Sequence, residues 1–376
     1  MQPRDPHEGH RAATPLELFF DLVSVIAIAA AAAGLHHAIA AGHALDGLVR
    51  FLPAFFAIWW AWMNYTWFAS AYDNGDVVFR LLTFLVMGGS LVMAAGIGPL
   101  FASLDLKVII AGYVIMRLAM VVLWLRAAKD DPARRGTALA YAGGIALVQL
   151  YWIALLFLAP PSLAWFLFLF AIGIVLELAV PALAERRSTT PWHRHHIIER
   201  YGLLTIIVLG ESLLAAVMSL RVAFTDHYEI ALVHIAMSAL VIVAAMWWLY
   251  FDDGEHLRSD RLDRALTWGY GHGLVFASGA AVGAGFGVLV DVVTDHAAVG
   301  IVTGDYAVAI PVALYMAGLW FVRDRFNFTG SARFVLPVFA VLIVLGAPIA
   351  LEIIATLAVL AVVVRSWLVR REASTR

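Results

Sequence analysis

The chain contains no cysteine. Disulfides, thiolate metal sites and cysteine nucleophiles are therefore excluded. Lysine is almost as scarce, with only Lys107 and Lys129 among 376 residues. Both fall at the edges of apolar runs, which disfavours a retinal photoreceptor, since Schiff-base chemistry needs a buried lysine. Charge as a whole is thin at 14%, against about 25% in an ordinary soluble domain. No basic patch with interleaved aromatics is present, and the net charge of −2 gives no reason to expect nucleic acid as a partner. Strict alternation of polar and apolar residues, the signature of a membrane barrel, is also missing.

What fills the chain is hydrocarbon. It is 63% hydrophobic, with a mean hydropathy of +0.87. Only helices or closed barrels satisfy their backbone in lipid, and the runs are too long and continuous for barrel strands. The fold class expected is an all-α polytopic membrane protein. A spanning helix needs roughly 20 apolar residues. Twelve candidate spans meet or approach this: 15–35, 51–71, 80–101, 107–126, 138–158, 162–183, 199–220, 229–250, 264–290, 305–322, 333–347 and 350–369. The eleventh is short, and "GAP" (346–348) separates it from the twelfth. "VIAIAAAAAGLHH" (25–37) resembles a signal-peptide core, but Asp21 sits inside the apolar stretch and a polar arm precedes it, so segment one is read as retained.

Cytoplasmic loops retain Lys and Arg. With the N-terminus inside, the inner loops, helix ends and tails hold most of the basic residues, while Arg50, Lys107 and Arg221 lie in outer loops and Arg117 within the fourth span. Both termini are thus expected in the cytoplasm, and the expected location is the bacterial inner (plasma) membrane. "YDNGD" (72–76) and "FDDGE" (251–255) both follow tryptophan-rich helix ends, and Glu17 and Glu199 open spans at nearly the same offset. The spacing predicts an internal duplication into two parallel six-helix repeats, 15–183 and 199–369, joined by a cytoplasmic linker (184–198). An arm (1–14) and a tail (370–376) complete the division.

Ionisable residues inside spans are rare and mark a pathway or a structural pair. At the helical rise, Glu211 lies about 18 Å and Arg117 about 15 Å from the inner face, so a midplane pair between them is expected, aided by Ser212 and Gln149. Nearer the inner face come Glu177 at about 8 Å, Asp21 at about 9 Å, Asn64 at about 10 Å and His272 at about 12 Å. These six charged and polar groups, Asp21, Glu177, Glu211, Arg117, His272 and Asn64, form the expected ion or substrate path. The structural alternative is a set of buried hydrogen bonds that only orient helices. "HRHH" (193–196) with Glu199 offers metal-ligand types, but no second box accompanies it, and no metal or cofactor is expected. His196, Glu199 and Arg200 are read instead as ion-paired anchors of a helix start to its loop. The glycines of "YGHGLVFASGAAVGAGFG" (270–287) are read as close helix packing.

"TPLELFFDLVSVIAI" (14–28) and "HIIERYGLLTIIVLGES" (196–212) resemble the bacterial low-temperature-requirement protein A family, as do "WWLYFD" (247–252) and "YGHGLVFASGAAVG" (270–283). The resemblance covers most of the chain. It implies an integral membrane protein, carries no agreed substrate or reaction, and maps onto Glu17, Asp21, His196, Glu199, Arg200, Gly210 and Glu211. "FFD" in span one is also faintly similar to the "FSD" of lysosomal-type potassium channels. The leading expectation is a transporter or ion-translocating protein linked to a cation or proton. The alternatives are a membrane enzyme acting on lipid or isoprenoid, and a structural or sensory protein of low-temperature or stress adaptation. The lipid bilayer is the partner the composition demands, a small ion or small molecule is the expected substrate, and a homo-oligomer stays open.

Overall fold

The computed structural model describes residues 1–6, 8–9, 11–158, 163–226, 230–252, 257, 259 and 261–374, and for 158, 218–226 and 372–374 the backbone alone. The described residues form helices and no strand. In chain order these are α1 (Pro15–Ala40), α2 (Ala44–Tyr72), α3 (Val77–Ala95), α4 (Ile97–Ser103), α5 (Lys107–Asp130), α6 (Arg135–Leu158), α7 (Leu163–Ala184), α8 (Arg194–Asp226), α9 (Ile230–Phe251), α10 (Leu262–Val293), α11 (Ile301–Leu319), α12 (Arg325–Asn327), α13 (Val335–Gly346) and α14 (Leu351–Ser374). Among the described residues eleven helical stretches are long and apolar enough to cross a membrane. The expected span 333–347 is a shorter apolar helix, Ala332–Gly346, which stops where the sequence reads "GAP". The protein is a multi-pass, all-helical membrane protein.

Local sequence explains where the helices start and stop. Asp76 caps α3 by accepting from the backbone N–H of Phe79 at 2.7 Å, after a turn in which Gly75 takes φ +65°. The third span breaks at Gly96 into α3 and α4. A side chain there would lie 2.7 Å from the backbone nitrogen of Ile109 on α5, so only glycine permits the approach. α11 runs into a π-helical turn, Trp320–Asp324, before α12. Extra residues of this kind inside a helix re-aim side chains and recur at functional positions.

The chain divides into two compact units. Unit 1 comprises Met1–Ala30 and Pro53–Arg200, and unit 2 comprises Ala31–Leu52 and Tyr201–Arg376. Helices α1, α2 and α8 each contribute a segment to both. In unit 1, α5 packs on α3 and α6, and α6 on α7. In unit 2, α10 packs on α11, α11 on α13, and α14 on α9. The most buried span is α10, whose glycines face neighbouring helices as the sequence predicts; a Cβ on Gly283 would come within 2.8 Å of Ser212 Cα on α8. Of the duplicated turn sequences, 72–76 is described, whereas residues 253–255 lie outside the described residues, as do 159–162 in the loop before α7.

A candidate site of buried charge

Two rungs of opposite charge join α1 to the start of α8 within unit 1. Glu17 and Asp21 are four residues apart on α1; His196 and Arg200 are four apart on α8. That spacing puts each pair on one helix face. His196 Nε2 lies 3.1 and 3.2 Å from the two oxygens of Glu17. Arg200 Nη2 donates to Asp21 Oδ1 at 2.5 Å. All four side chains are completely buried. The α2 helix adds Trp62, whose Nε1 donates to Asp21 Oδ1 at 2.6 Å, and Thr66, whose hydroxyl lies 3.5 Å from Arg200 Nη2. Among the described residues Asp21 Oδ2 has no hydrogen-bond partner, nor do Arg200 Nε and Nη1 or His196 Nδ1. The ladder thus has spare capacity on both signs of charge.

The arm preceding α1 closes over this end. Arg11 is buried and donates to the carbonyls of Ser70 and Ala69, the latter at 2.8 Å. Burial pushes the Arg11 guanidinium below its ordinary range. His193 Nε2 meets the Glu8 carbonyl at 2.8 Å, and the Ala13 backbone donates to Glu199 Oε1 at 3.3 Å. Beyond the helix ends, burial raises the carboxyls of Asp73 and Glu185. At the α3 cap, the Arg126 guanidinium, 2.5 Å away, holds the Asp76 carboxyl well below the usual range.

Deeper in unit 1, Glu177 of α7 is enclosed by five donors. Oε1 accepts from Tyr113 Oη at 2.7 Å, Trp152 Nε1 at 3.1 Å and Gln149 Nε2 at 3.3 Å. Oε2 accepts from Arg117 Nη2 at 2.7 Å and Trp60 Nε1 at 2.9 Å. Arg117 and Glu177 are both fully buried. The expected Arg117–Glu211 pair is therefore corrected: Arg117 pairs with Glu177, and Gln149 serves Glu177 too. Depth along the membrane misjudged this because it ignores which way a helix face points and how far an arginine reaches. Glu211 is half-buried and has no hydrogen bond or ion pair among the described residues, while Ser212 bonds the carbonyls of Val208 and Gly279. A second correction concerns His196 and Arg200, which bind α8 to α1 rather than to the preceding loop.

The remaining expected residues are placed separately. Asn64 donates to the Trp60 carbonyl at 2.8 Å, a local helix bond. His272 lies in unit 2, fully buried. Its Nε2 meets Tyr250 Oη at 3.1 Å, and its Nδ1 meets the Trp268 carbonyl, one turn back on the same helix, at 2.7 Å. Gly210 is exposed, and a side chain there would meet nothing within 4 Å. Among the described residues no cluster of three or more His, Asp or Glu could hold a metal.

Sequence reasoning missed a second buried network, in unit 2. Asp324 accepts from Arg323 Nε at 2.7 Å and from Arg365 Nε and Nη2 at 2.9 and 3.1 Å. Arg365 also reaches Asp252 at 3.1 Å, and Arg323 Nη1 reaches the Tyr250 carbonyl at 2.9 Å. "RDRFNFTGSAR" (323–333) reads as a cytoplasmic loop, which hid Arg323 and Asp324. The available signal was Arg365, an isolated charge in the last apolar run.

Comparison with known proteins agrees with the motifs. A chain of Rhizobium meliloti (strain 1021), described as the uncharacterized protein RA0937, is 29% identical over 254 residues, covering 66% of this chain. The match spans 60% of that relative's length. No solved structure matches. The family model for the bacterial low temperature requirement A protein (LtrA) matches residues 12–369, nearly the whole chain, and this protein belongs to that family.

Proposed function

We propose that the protein translocates a proton or small cation across the bacterial inner membrane, with both termini in the cytoplasm, and that Asp21 is the loading group. The observation that carries this reading is the half-used carboxylate of Asp21. It is wholly buried, and Oδ1 takes both of its hydrogen bonds while Oδ2 takes none. Beside it, Glu17 and His196 make a carboxylate–imidazole pair through which a proton can pass. Loading Asp21 with a proton or a cation weakens its hold on Arg200. A buried guanidinium left without its counter-charge costs several kcal/mol. Loading is thereby coupled to any rearrangement that re-pairs or hydrates Arg200, which is the thermodynamic requirement for ligand-driven conformational change. Glu211, half-buried and without a partner among the described residues, is a second position on the path. Glu177 and Arg117 favour a different role: with five donors on one carboxylate, they belong to the architecture, in line with the structural alternative.

The test is reconstitution into liposomes under imposed pH and cation gradients, read by flux dyes. Wild-type protein is expected to move protons or a monovalent cation. Asp21→Asn takes the counter-charge from buried Arg200, so lowered melting is expected, and the variant that folds is expected to lose flux or its pH dependence. Equal flux by folded Asp21→Asn, or none by wild type under any gradient, overturns the reading. Orientation is tested separately. With no native cysteine, a cysteine at Ser103 is expected to react with an impermeant thiol reagent outside intact cells, and one at Ser331 is not.

A further inference from the structure

Most buried or clustered charges in unit 2 are matched. Arg323 and Arg365 share Asp324, Arg365 also takes Asp252, and His36 Nε2 holds Asp291 at 2.7 Å. One cluster is not matched. Arg264 of α10 lies flat over Phe326, its guanidinium carbon 3.3 Å from the ring centroid. Arg325 lies over Phe321 at 3.7 Å and Phe326 at 4.2 Å. Neither arginine has a carboxylate partner among the described residues. The nearest acids are already engaged, because Asp324 is taken by Arg323 and Arg365, and Asp263 is held in a two-bond fork by Arg261 at 3.0 and 3.1 Å.

Like charges gathered this closely repel one another, and the stacking aromatic rings only partly offset it. A cavity of about 440 Å³ opens beside them, lined by Arg261, Asp263, Arg264, Trp268, Phe326 and Asn327. Trp268, whose side chain lines the cavity, is 2% exposed, and its Nε1 has no hydrogen-bond partner among the described residues. The Asp263 carboxylate takes backbone N–H groups of the first turn of α10 and is itself held by Arg261. Arg264 and Arg325 are the charges left unmatched here among the described residues.

We infer that Arg264 and Arg325, beside the cavity that Arg264, Trp268 and Phe326 line, form a binding site for a phosphate group at the end of unit 2. The chemistry fits a guanidinium-rich, forked recognition of phosphate oxygens. Two sources carry such a group to the end of a spanning helix: the headgroup of an anionic phospholipid, and free phosphate or a soluble phosphate ester. Basic pockets between membrane helices at a bilayer surface suit the first.

The experiment uses the full chain in detergent and follows thermal unfolding in separate titrations with phosphatidylglycerol, phosphatidylcholine and inorganic phosphate. A saturable rise in Tm with phosphatidylglycerol and none with phosphatidylcholine is expected for the lipid source. A saturable rise with phosphate alone, competing with the lipid, identifies the soluble source. In either arm Arg264→Gln combined with Arg325→Gln is expected to weaken half-saturation at least tenfold. Arg264→Gln alone removes one of the two charges at the site while leaving Arg325 on Phe326, and it is expected to weaken half-saturation severalfold. No saturable response of the wild type to phosphatidylglycerol or phosphate, or half-saturation unchanged in these variants, overturns the inference.

Discussion

Each unit solves the problem of a charged group in an apolar interior, and each solves it differently. In unit 1, Glu177 is one acid surrounded by five donors drawn from α2, α5 and α6, only one of them charged. In unit 2, Asp324 is one acid shared by two guanidiniums, with Asp252 as a second anion behind Arg365. The first arrangement spreads a carboxylate's charge over aromatic N–H and O–H groups that are also hydrophobic packing. The second is a dense ionic knot at a helix irregularity, the π-helical turn Trp320–Asp324. The difference predicts different failure. An acid held mostly by neutral donors tolerates losing its cation better than two cations tolerate losing their acid. Both contrast with the ladder on α1, where Asp21 keeps an unused oxygen.

The largest effect is therefore expected in unit 2. Asp324→Ala strands Arg323 and leaves Arg365 with Asp252 alone, and a stranded buried charge costs about 3–5 kcal/mol. Thermal melting in detergent is expected to show loss of folded protein or the deepest destabilisation of any single change. A mild effect would mean that water reaches the knot.

Arg117→Met should cost less than Asp324→Ala, because Glu177 keeps its four neutral donors. A double-mutant cycle with Glu177→Gln is expected to give a coupling on the order of 1–3 kcal/mol. The same cycle between Arg117→Met and Glu211→Gln is expected to be additive. Coupling in the second cycle, or strict additivity in the first, would undo the assignment of the pair.

Gly283→Val probes helix packing in unit 2 rather than charge. The added side chain must displace Ser212 on α8, and overpacking of this kind costs typically about 1–3 kcal/mol. Lowered melting with unchanged pH response is expected, and a neutral result would show that α8 and α10 separate there without cost.

The smallest effect concerns the α3 cap in unit 1. The Asp76 carboxyl is depressed in the folded chain by Arg126, so its contribution is present above the unfolded carboxylate range and is lost as pH falls through the folded value. The pair is partly exposed, so solvent screening limits it to about 1 kcal/mol or less. Asp76→Asn is expected to flatten the acid limb of the melting profile slightly and leave neutral-pH flux unchanged. An acid limb identical to wild type would place the sensitivity elsewhere.

Much of the fold was legible in the residues. Apolar run length gave the helices, "GAP" gave the break after α13, and the glycines of α10 marked the closely packed span. The motif residues Glu17, Asp21, His196 and Arg200 were legible as important, and their i, i+4 spacing was in plain view. Their pairing with one another was not, because a spacing names a face and not the face opposite. The same limit misled the reading of Arg117. Its depth was close to that of Glu211, yet azimuth and reach joined it to Glu177. The donors Trp60, Trp62, Tyr113 and Trp152 escaped notice because aromatic residues in apolar helices read as packing until their N–H or O–H is seen to point at an acid.

By itself, then, the sequence determined that this chain lives in a bilayer as helices, since a backbone in hydrocarbon has almost no other way to satisfy its hydrogen bonds. It also marked several residues that carry buried charge, among them Asp21, Glu177 and Arg117, but not Arg323 and Asp324. Only the tertiary structure decided the partners of each charge: Glu17 with His196, Asp21 with Arg200, Glu177 with Arg117, Asp324 with two arginines. Helix formation depends on neighbours along the chain, whereas neutralising a charge depends on which groups lie within about 3 Å across helices, and that distance is set by packing.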